Sequence, residues 1–534
     1  MEKILQKKNQ KNLEFSEENE LIKAVREIRY FDEDRLIVNR IDEENVSGGN
    51  GKIEVAVEAS YNNISITESP VANRDIVVRV STTQGGGLKE KCMRAALDLV
   101  CVVDTSGSMI GFNPDGSRGT DGKIDRVKKT MSRMLDFLGD SDRFCLIVFT
   151  SKAKRVTPLI NCTEQGKGII RKHLEAIEAG GSTNIFEGLL QGLSVLDSRR
   201  DKNQVSSIFL LSDGCDKLSQ QLLVKTFSTS AQYDAFSDIS VNTFGFGEDD
   251  CNLMELIADR SGGVFYNVEE YSDCLECFVE CLGSLLSILA EKAVLEVELL
   301  PHKAFQELHL TQIYSDAKKI SDIKLSLDFK FLISGMNKHV VFGVQLPFSA
   351  QTKEFVEQSL PLLKATLTFC DLGTKQSHTL PPTVLNLMLT AGDKGKENES
   401  VHRQVLRTEM VNFQKNQITL VEKGNLEEAK KQEKLFELKY ANNMANMKTN
   451  TLVANCYAQF NQTQAYVNNA NTWNPWQLES EKRKIVSQAF SMKNECSNRS
   501  NRRYRNRMQR NMLRNCMEAK ECEEDCFNDD CDEE

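Results

Sequence analysis

The stretch Leu97-Asp-Leu-Val-Cys-Val-Val-Asp104-Thr-Ser-Gly-Ser-Met109 passes from an apolar run straight into a loop of small polar residues. The run through Val103 suits a strand covered on both faces, as in parallel sheets with helices above and below. In open α/β sheets, ligands gather at the carboxyl ends of the strands. Here that end carries the order Asp104-x-Ser106-x-Ser108, a carboxylate followed by two hydroxyls that one turning loop can bring together. Oxygen donors of this kind suit a hard cation such as Mg²⁺, which prefers octahedral geometry and usually keeps some of its waters. The five-residue pattern is weak evidence by itself, so its surroundings matter.

Outward from this junction the sequence alternates between helical and strand-like periods. Ile124, Val127, Met131, Leu135 and Leu138 recur at helical spacing across Lys123 to Leu138. Arg143 to Phe149 reads as a second buried strand, followed by helices around Gly166 to Ala179 and Asn184 to Leu196. The strand Ser207 to Leu211, a helix near Leu218 to Ala231 and the strand Ile239 to Phe244 come next. A helix through Leu253 to Asp259, a short strand Val264 to Asn267 and a helix from Ser272 to Leu289 close the segment. This order predicts an α/β unit over residues 93–290 with a doubly wound, mostly parallel, Rossmann-like sheet. Two further strand-end loops fall inside it: Gly180-Gly-Ser-Thr183-Asn184 before a helix, and Leu210-Leu-Ser-Asp213-Gly214 after a buried strand.

With these three loops in this order, the segment resembles the von Willebrand factor type A (VWA) family, whose metal-ion-dependent adhesion site is built from Asp-x-Ser-x-Ser, a loop Thr and a loop Asp. Asp142-Arg-Phe144, Phe244-Gly-Phe-Gly247 and Ile257-Ala-Asp-Arg-Ser-Gly-Gly263 fit the same resemblance, which covers about residues 95–290. It implies that Asp104, Ser106, Ser108, Thr183 and Asp213 hold a divalent cation, Mg²⁺ with Mn²⁺ or Ca²⁺ as alternatives, directly or through water. It also implies a position left for an Asp or Glu of a protein partner. The bland reading of the same residues is that they cap helices and tighten loops without any metal. One departure from the family is a Gly- and Asp-rich insertion from Gly111 to Gly122, longer than the usual turn into the first helix. It could shield the ion or belong to the surface that meets the partner.

The chain of 534 residues exceeds what one core usually supports, so several domains are expected. Its 40% hydrophobic and 27% charged residues are ordinary for globular proteins, and the net charge of −10 gives no general attraction for nucleic acid. Residues 1–50 read as a flexible leader without the apolar core of a secretory signal, and no apolar run approaches a membrane span, so a cytoplasmic protein is expected. Strand patterns at 51–92, with Ile53, Val55, Val57 and Ile76, Val78, Val80, and again at 291–392, predict one β-sandwich with the α/β unit inserted in it or flanked by it. Residues 400–480 read as helical, with helices at Val401 to Val421 and Leu426 to Ala441 joined by Lys423-Gly-Asn425. Residues 481–534 read as a disordered tail, first basic and then acidic.

Sixteen cysteines in a chain without an export signal argue against a disulfide framework, and sequons such as Asn63-Ile-Ser65 and Asn461-Gln-Thr463 read as chance matches. Cys274, Cys277 and Cys281 share a helix face and read as core, while Cys516, Cys522, Cys526 and Cys531 lack paired zinc-ligand spacing. The arginines from Arg499 to Arg514, interspersed with Tyr504 and Asn, could contact RNA or anionic lipid, or pair with the acidic terminus. No His-based zinc motif, phosphate loop or nucleophile motif stands out. The resulting expectation is a Mg²⁺-dependent protein-binding module or scaffold and not an enzyme. An auxiliary role in ubiquitin transfer is the alternative, because VWA proteins with a similar downstream sandwich and helical region include RING ligases, although no RING pattern is legible here. RNA binding through the arginine cluster is the third.

Overall fold

Every residue of the strand Leu97–Asp104 is buried, and it lies inside a seven-stranded sheet. The computed structural model describes residues 20–37, 52–67, 70–83, 95–111, 122–213, 238–246, 252–268, 271–372, 374–393, 395–446, 450–495 and 508–516, together with Asp216, Ser219, Leu222 and Leu223. The chain divides into two compact units, one from residues 1–46, 93–287 and 497–534, the other from 47–92 and 288–496.

In the first unit the strands run Phe265–Asn267, Ile239–Gly245, Val205–Ser212, Leu97–Asp104, Arg143–Phe149 and Ala153–Arg155, with Ile160–Asn161 also paired to Arg143–Phe149. The first five are mutually parallel and the last two are antiparallel additions. Leu97–Asp104 pairs with Arg143–Phe149 on one side and Val205–Ser212 on the other. It is therefore the point where the winding reverses, and the loop after it opens into the crevice that doubly wound sheets use for ligands. The helix Lys123–Met134 ends earlier than its periodicity predicts, in a tighter turn over Leu135–Phe137. The helix Tyr271–Leu285 stops short of Leu289 because Ile288 begins a strand. The expected helix near Leu218 to Ala231 falls largely outside the described residues.

Two expectations about the ends are corrected within this unit. Residues 20–37, placed in a flexible leader, form a helix at Glu20–Glu27 with Val25 fully buried, followed by an extended strap. The Tyr30 N–H donates to Ser198 Oγ at 3.2 Å, the Asp34 N–H to the Leu159 carbonyl at 2.8 Å, and Asn161 Nδ2 to the Arg35 carbonyl at 2.9 Å. Backbone and polar contacts anchor the strap, so a search for apolar periodicity passes over it. In the tail, residues 508–516 are helical, with Gln509, Met512 and Cys516 buried and Arg510 and Arg514 exposed. Gln509 Nε2 donates to the Glu280 carbonyl at 2.7 Å, and a Cβ at Gly283 would come within 3.1 Å of the Gln509 Cα, so a glycine allows this close approach. Arg499 to Arg507, the acidic terminus and Cys522, Cys526 and Cys531 lie outside the described residues.

The second unit is a two-sheet sandwich followed by helices. Ile53–Ala59, Val71–Thr82, Asn337–Pro347 and His309–Ile313 form one antiparallel sheet, in that order. The other runs Lys318–Lys319, Lys324–Ile333, Ile288–Leu299, Gln358–Asp371, Thr383–Thr390 and Asn63–Ser65, with Ser377–Thr379 at its side. Val71–Thr82 pairs with Asn337–Pro347 from Val71↔Pro347 to Ser81↔Asn337. Ile76, Val78 and Val80 share one core with Leu295, Val297, Phe342 and Leu367, so segments on both sides of the α/β unit in the chain build a single sandwich.

Four helices follow: Glu399–Glu422, Leu426–Asn446, Thr451–Asn469 and Pro475–Asn494. Phe413, Phe436 and Phe460 pack together at their centre, the first two with ring centroids 4.5 Å apart. The expectation of a disordered tail from residue 481 is corrected by the last of these helices, which runs through to Asn494. Asn474 caps the last helix, Pro475 opens it, and Ile485, Ala489, Phe490 and Met492 are buried along it. Its end is fixed by Glu495, whose carboxylate accepts the His339 N–H at 2.6 Å and lies 3.6 Å from Arg407.

Candidate metal site

The loop after Leu97–Asp104 carries its polar side chains on a gradient from core to solvent. Asp104 has no exposed surface, Ser106 is buried and Ser108 is exposed. Asp104 Oδ1 accepts the Ser106 N–H at 2.8 Å, an interaction that turns the loop back over the strand end, and Asp104 Oδ2 accepts from Ser212 Oγ at 2.7 Å. The Ser106 and Ser108 hydroxyls are 3.0 Å apart, and Ser108 Oγ donates to Asp213 Oδ1 at 2.7 Å. Asp104, Ser106, Ser108 and Asp213 thus lie on one continuous set of polar contacts.

Thr183, half-buried, is carried by the second loop. Two backbone bonds fasten that loop to the first, from Gly180 N–H to the Thr105 carbonyl at 2.7 Å and from Gly107 N–H to the Gly181 carbonyl at 3.0 Å. Gly181 has φ +94°, a left-handed conformation that explains its glycine. The third loop is joined to the second around the helix Ile185–Asp197. Ile185 N–H donates to Asp216 Oδ2 and Phe186 N–H to Ser219 Oγ, both at 2.9 Å, so two of the orphan donors at that helix start are satisfied from the Asp213 side.

The two acids of the cluster differ in the charge they meet. Burial pushes the Asp104 carboxyl up to about 6, with the neighbouring Asp213 charge adding to the rise, against the pull of hydrogen bonds from Ser212 and Ser106. Asp104 meets only neutral donors in these bonds, whereas Asp213 Oδ2 is met by the Lys123 ammonium at 2.6 Å. Two acidic and two hydroxyl side chains in contact form an all-oxygen donor set, and the Lys123 ammonium already shows that a positive charge is accommodated against it. This chemistry fits a hard divalent cation. Sequence reasoning named Asp104, Ser106, Ser108, Thr183 and Asp213 but missed Ser212, Asp216, Ser219 and Lys123. Ser212 lies within a loop already quoted and Asp216 and Ser219 lie just past its end at Gly214; Lys123 follows the Gly111 to Gly122 insertion, whose residues 112–121 are not described.

The family model for the von Willebrand factor type A domain matches residues 98–280. These residues form a VWA domain. The solved von Willebrand factor type A structure from Catenulispora acidiphila aligns with 83% of this chain and 97% of its own, with a TM-score of 0.58 at 14% identity, a likeness of fold. Among curated relatives, E3 ubiquitin-protein ligase WAV3 of Arabidopsis thaliana is 32% identical over 224 residues, covering 40% of this chain. Inter-alpha-trypsin inhibitor heavy chain H4 of Homo sapiens is 30% identical over 183 residues, covering 33% of this chain. The chain spans 26% of the length of WAV3 and 18% of that of the heavy chain. VWA domains commonly mediate protein–protein interaction, and the site described above lies at the strand ends of this one. No helix among the described residues is long and apolar enough to cross a membrane.

Proposed function

We propose that the VWA domain is a cation-dependent protein-binding module of a cytoplasmic scaffold, and not an enzyme, with Asp104, Ser106, Ser108, Thr183 and Asp213 holding Mg²⁺. The observation that supports it most is the contact set Asp104–Ser106–Ser108–Asp213, which brings two acids and two hydroxyls from separate loops to one strand end. When bound, the ion supplies a positive charge with a coordination position open to an Asp or Glu of a protein partner. The chain's own residues do the rest. Ser212 orients the Asp104 carboxylate, Ser106 N–H holds the loop over it, and the tethers at Gly107, Gly180, Asp216 and Ser219 set the spacing of the three loops. The gradient of exposure leaves Ser108 at the surface, where a partner has access. A pull-down with Mg²⁺ and again with chelator tests this: partners should be retained only with the ion, and identical recovery in both would refute it.

A second reading follows from the relatives that are named E3 ubiquitin ligases. Under it the chain assists ubiquitin transfer by presenting a bound protein through the same VWA site. Ubiquitin-chain formation by the purified chain with activating and conjugating enzymes would favour this reading and overturn the non-enzymatic one.

A further inference from the structure

One positive charge at the site belongs to the chain itself. Lys123 Nζ lies 2.6 Å from Asp213 Oδ2; the Asp213 side chain has no exposed surface, and that of Lys123 keeps 37%. Asp213 Oδ1 is taken by the Ser108 hydroxyl, so both oxygens of this carboxylate are engaged. Lys123 is also the first residue of the helix Lys123–Met134, where the helix dipole disfavours a cation. Asp125, whose carboxylate accepts the Gly122 N–H at 3.1 Å, fixes that helix start and supplies the acidic residue such a position favours. A lysine there gains nothing from the helix; what offsets its placement is the pair with Asp213.

We propose that Lys123 is a built-in competitor for the divalent cation, holding Asp213 Oδ2 in the ion-free protein and giving it up as the ion and an acidic ligand arrive together. The inference rests on the metal-site reading above and concerns how that site is regulated. Asp104, Asp213 and Lys123 together carry one net negative charge. A divalent ion turns this into one net positive charge, with the ammonium and the ion both directed at Asp213, and a partner's carboxylate then cancels the excess. Lys123 therefore weakens the ion when it binds alone and strengthens the dependence of ion binding on an acidic ligand. Without Lys123, the two carboxylates alone would balance the ion, and much of that coupling would be lost.

The test is a calorimetric titration of Mg²⁺ alone into the full chain as wild type, Lys123→Met, Lys123→Arg and Asp104→Ala. Lys123→Met should bind Mg²⁺ about tenfold tighter than wild type, an estimate reduced for the partial exposure of the lysine. Lys123→Arg, which keeps the charge, should stay within about twofold of wild type. In chelator Lys123→Met should melt lower than wild type, and Mg²⁺ should raise its melting temperature by more. If Lys123→Met fails to fold in chelator, Mg²⁺-dependent recovery of its fold supports the proposal and failure to recover overturns it. Affinity in Lys123→Met no tighter than wild type, with Asp104→Ala still impaired, overturns the role of Lys123 and leaves the metal site standing. Equal affinity in wild type and Asp104→Ala overturns both.

Discussion

Asp98 and Asp104 stand six residues apart on one strand, both without exposed surface, and the protein treats them in opposite ways. Asp98 is saturated with cationic donors. Arg143 reaches it through Nε at 2.7 Å and Nη2 at 2.8 Å, Arg199 binds the second oxygen, and Asn203 Nδ2 donates at 3.0 Å. Two of the three remaining guanidinium hydrogens of Arg143 go to the Asp34 and Asp201 carbonyls, both at 2.8 Å. Asp104, at the other end, accepts from a backbone N–H and a hydroxyl. A buried carboxylate with its own guanidiniums is a structural pin; one held by neutral donors beside a second acid has no counter-charge of its own, and on the proposal above a divalent cation supplies it.

The sharpest way to break this contrast is to remove each acid in turn. Asp98→Ala leaves two buried guanidiniums without their counter-ion and should cost about 3–5 kcal/mol in chemical denaturation. Truncating residues 1–37 should cost about 2–3 kcal/mol, because it removes the Asp34 carbonyl from a buried Arg143 donor and the strap bonds with it. In chelator, Asp104→Ala should cost only about 1 kcal/mol, since the lost bonds to Ser106 and Ser212 are offset by relief from the Asp213 charge. Ser212→Ala should change stability least, by less than about 1 kcal/mol, while weakening Mg²⁺ roughly tenfold through misorientation of Asp104. A loss for Asp104→Ala in chelator as large as that for Asp98→Ala would erase the distinction between the two ends.

How much of this could be read in advance follows the kind of interaction involved. The sheet was legible because buried strands and helical periods alternate, whereas the loop residues at its ends were named through the resemblance that their motifs carry. Asp98 gave no signal, since its partners lie 45 and 101 residues away and a single acid in an apolar run has no periodicity. Lys123 was hidden for the same reason, 90 residues from Asp213. The helical reading of residues 400–480 stopped inside the last helix, Pro475–Asn494, which buries Lys482 and Arg483 beside its apolar residues and so shows little apolar contrast in sequence. The strap at 28–37 was missed because polar contacts, which carry no pattern in sequence, hold it in place.

The proposal that this strand end binds a divalent cation is tested most directly by calorimetric titration of Mg²⁺ into the wild-type chain and Asp104→Ala. Saturable binding by the wild type, and a loss of at least about tenfold in a variant that still melts cooperatively, is the expected result. Equal affinity in the two proteins, or no binding by the wild type in the presence of its acidic partner, would contradict it.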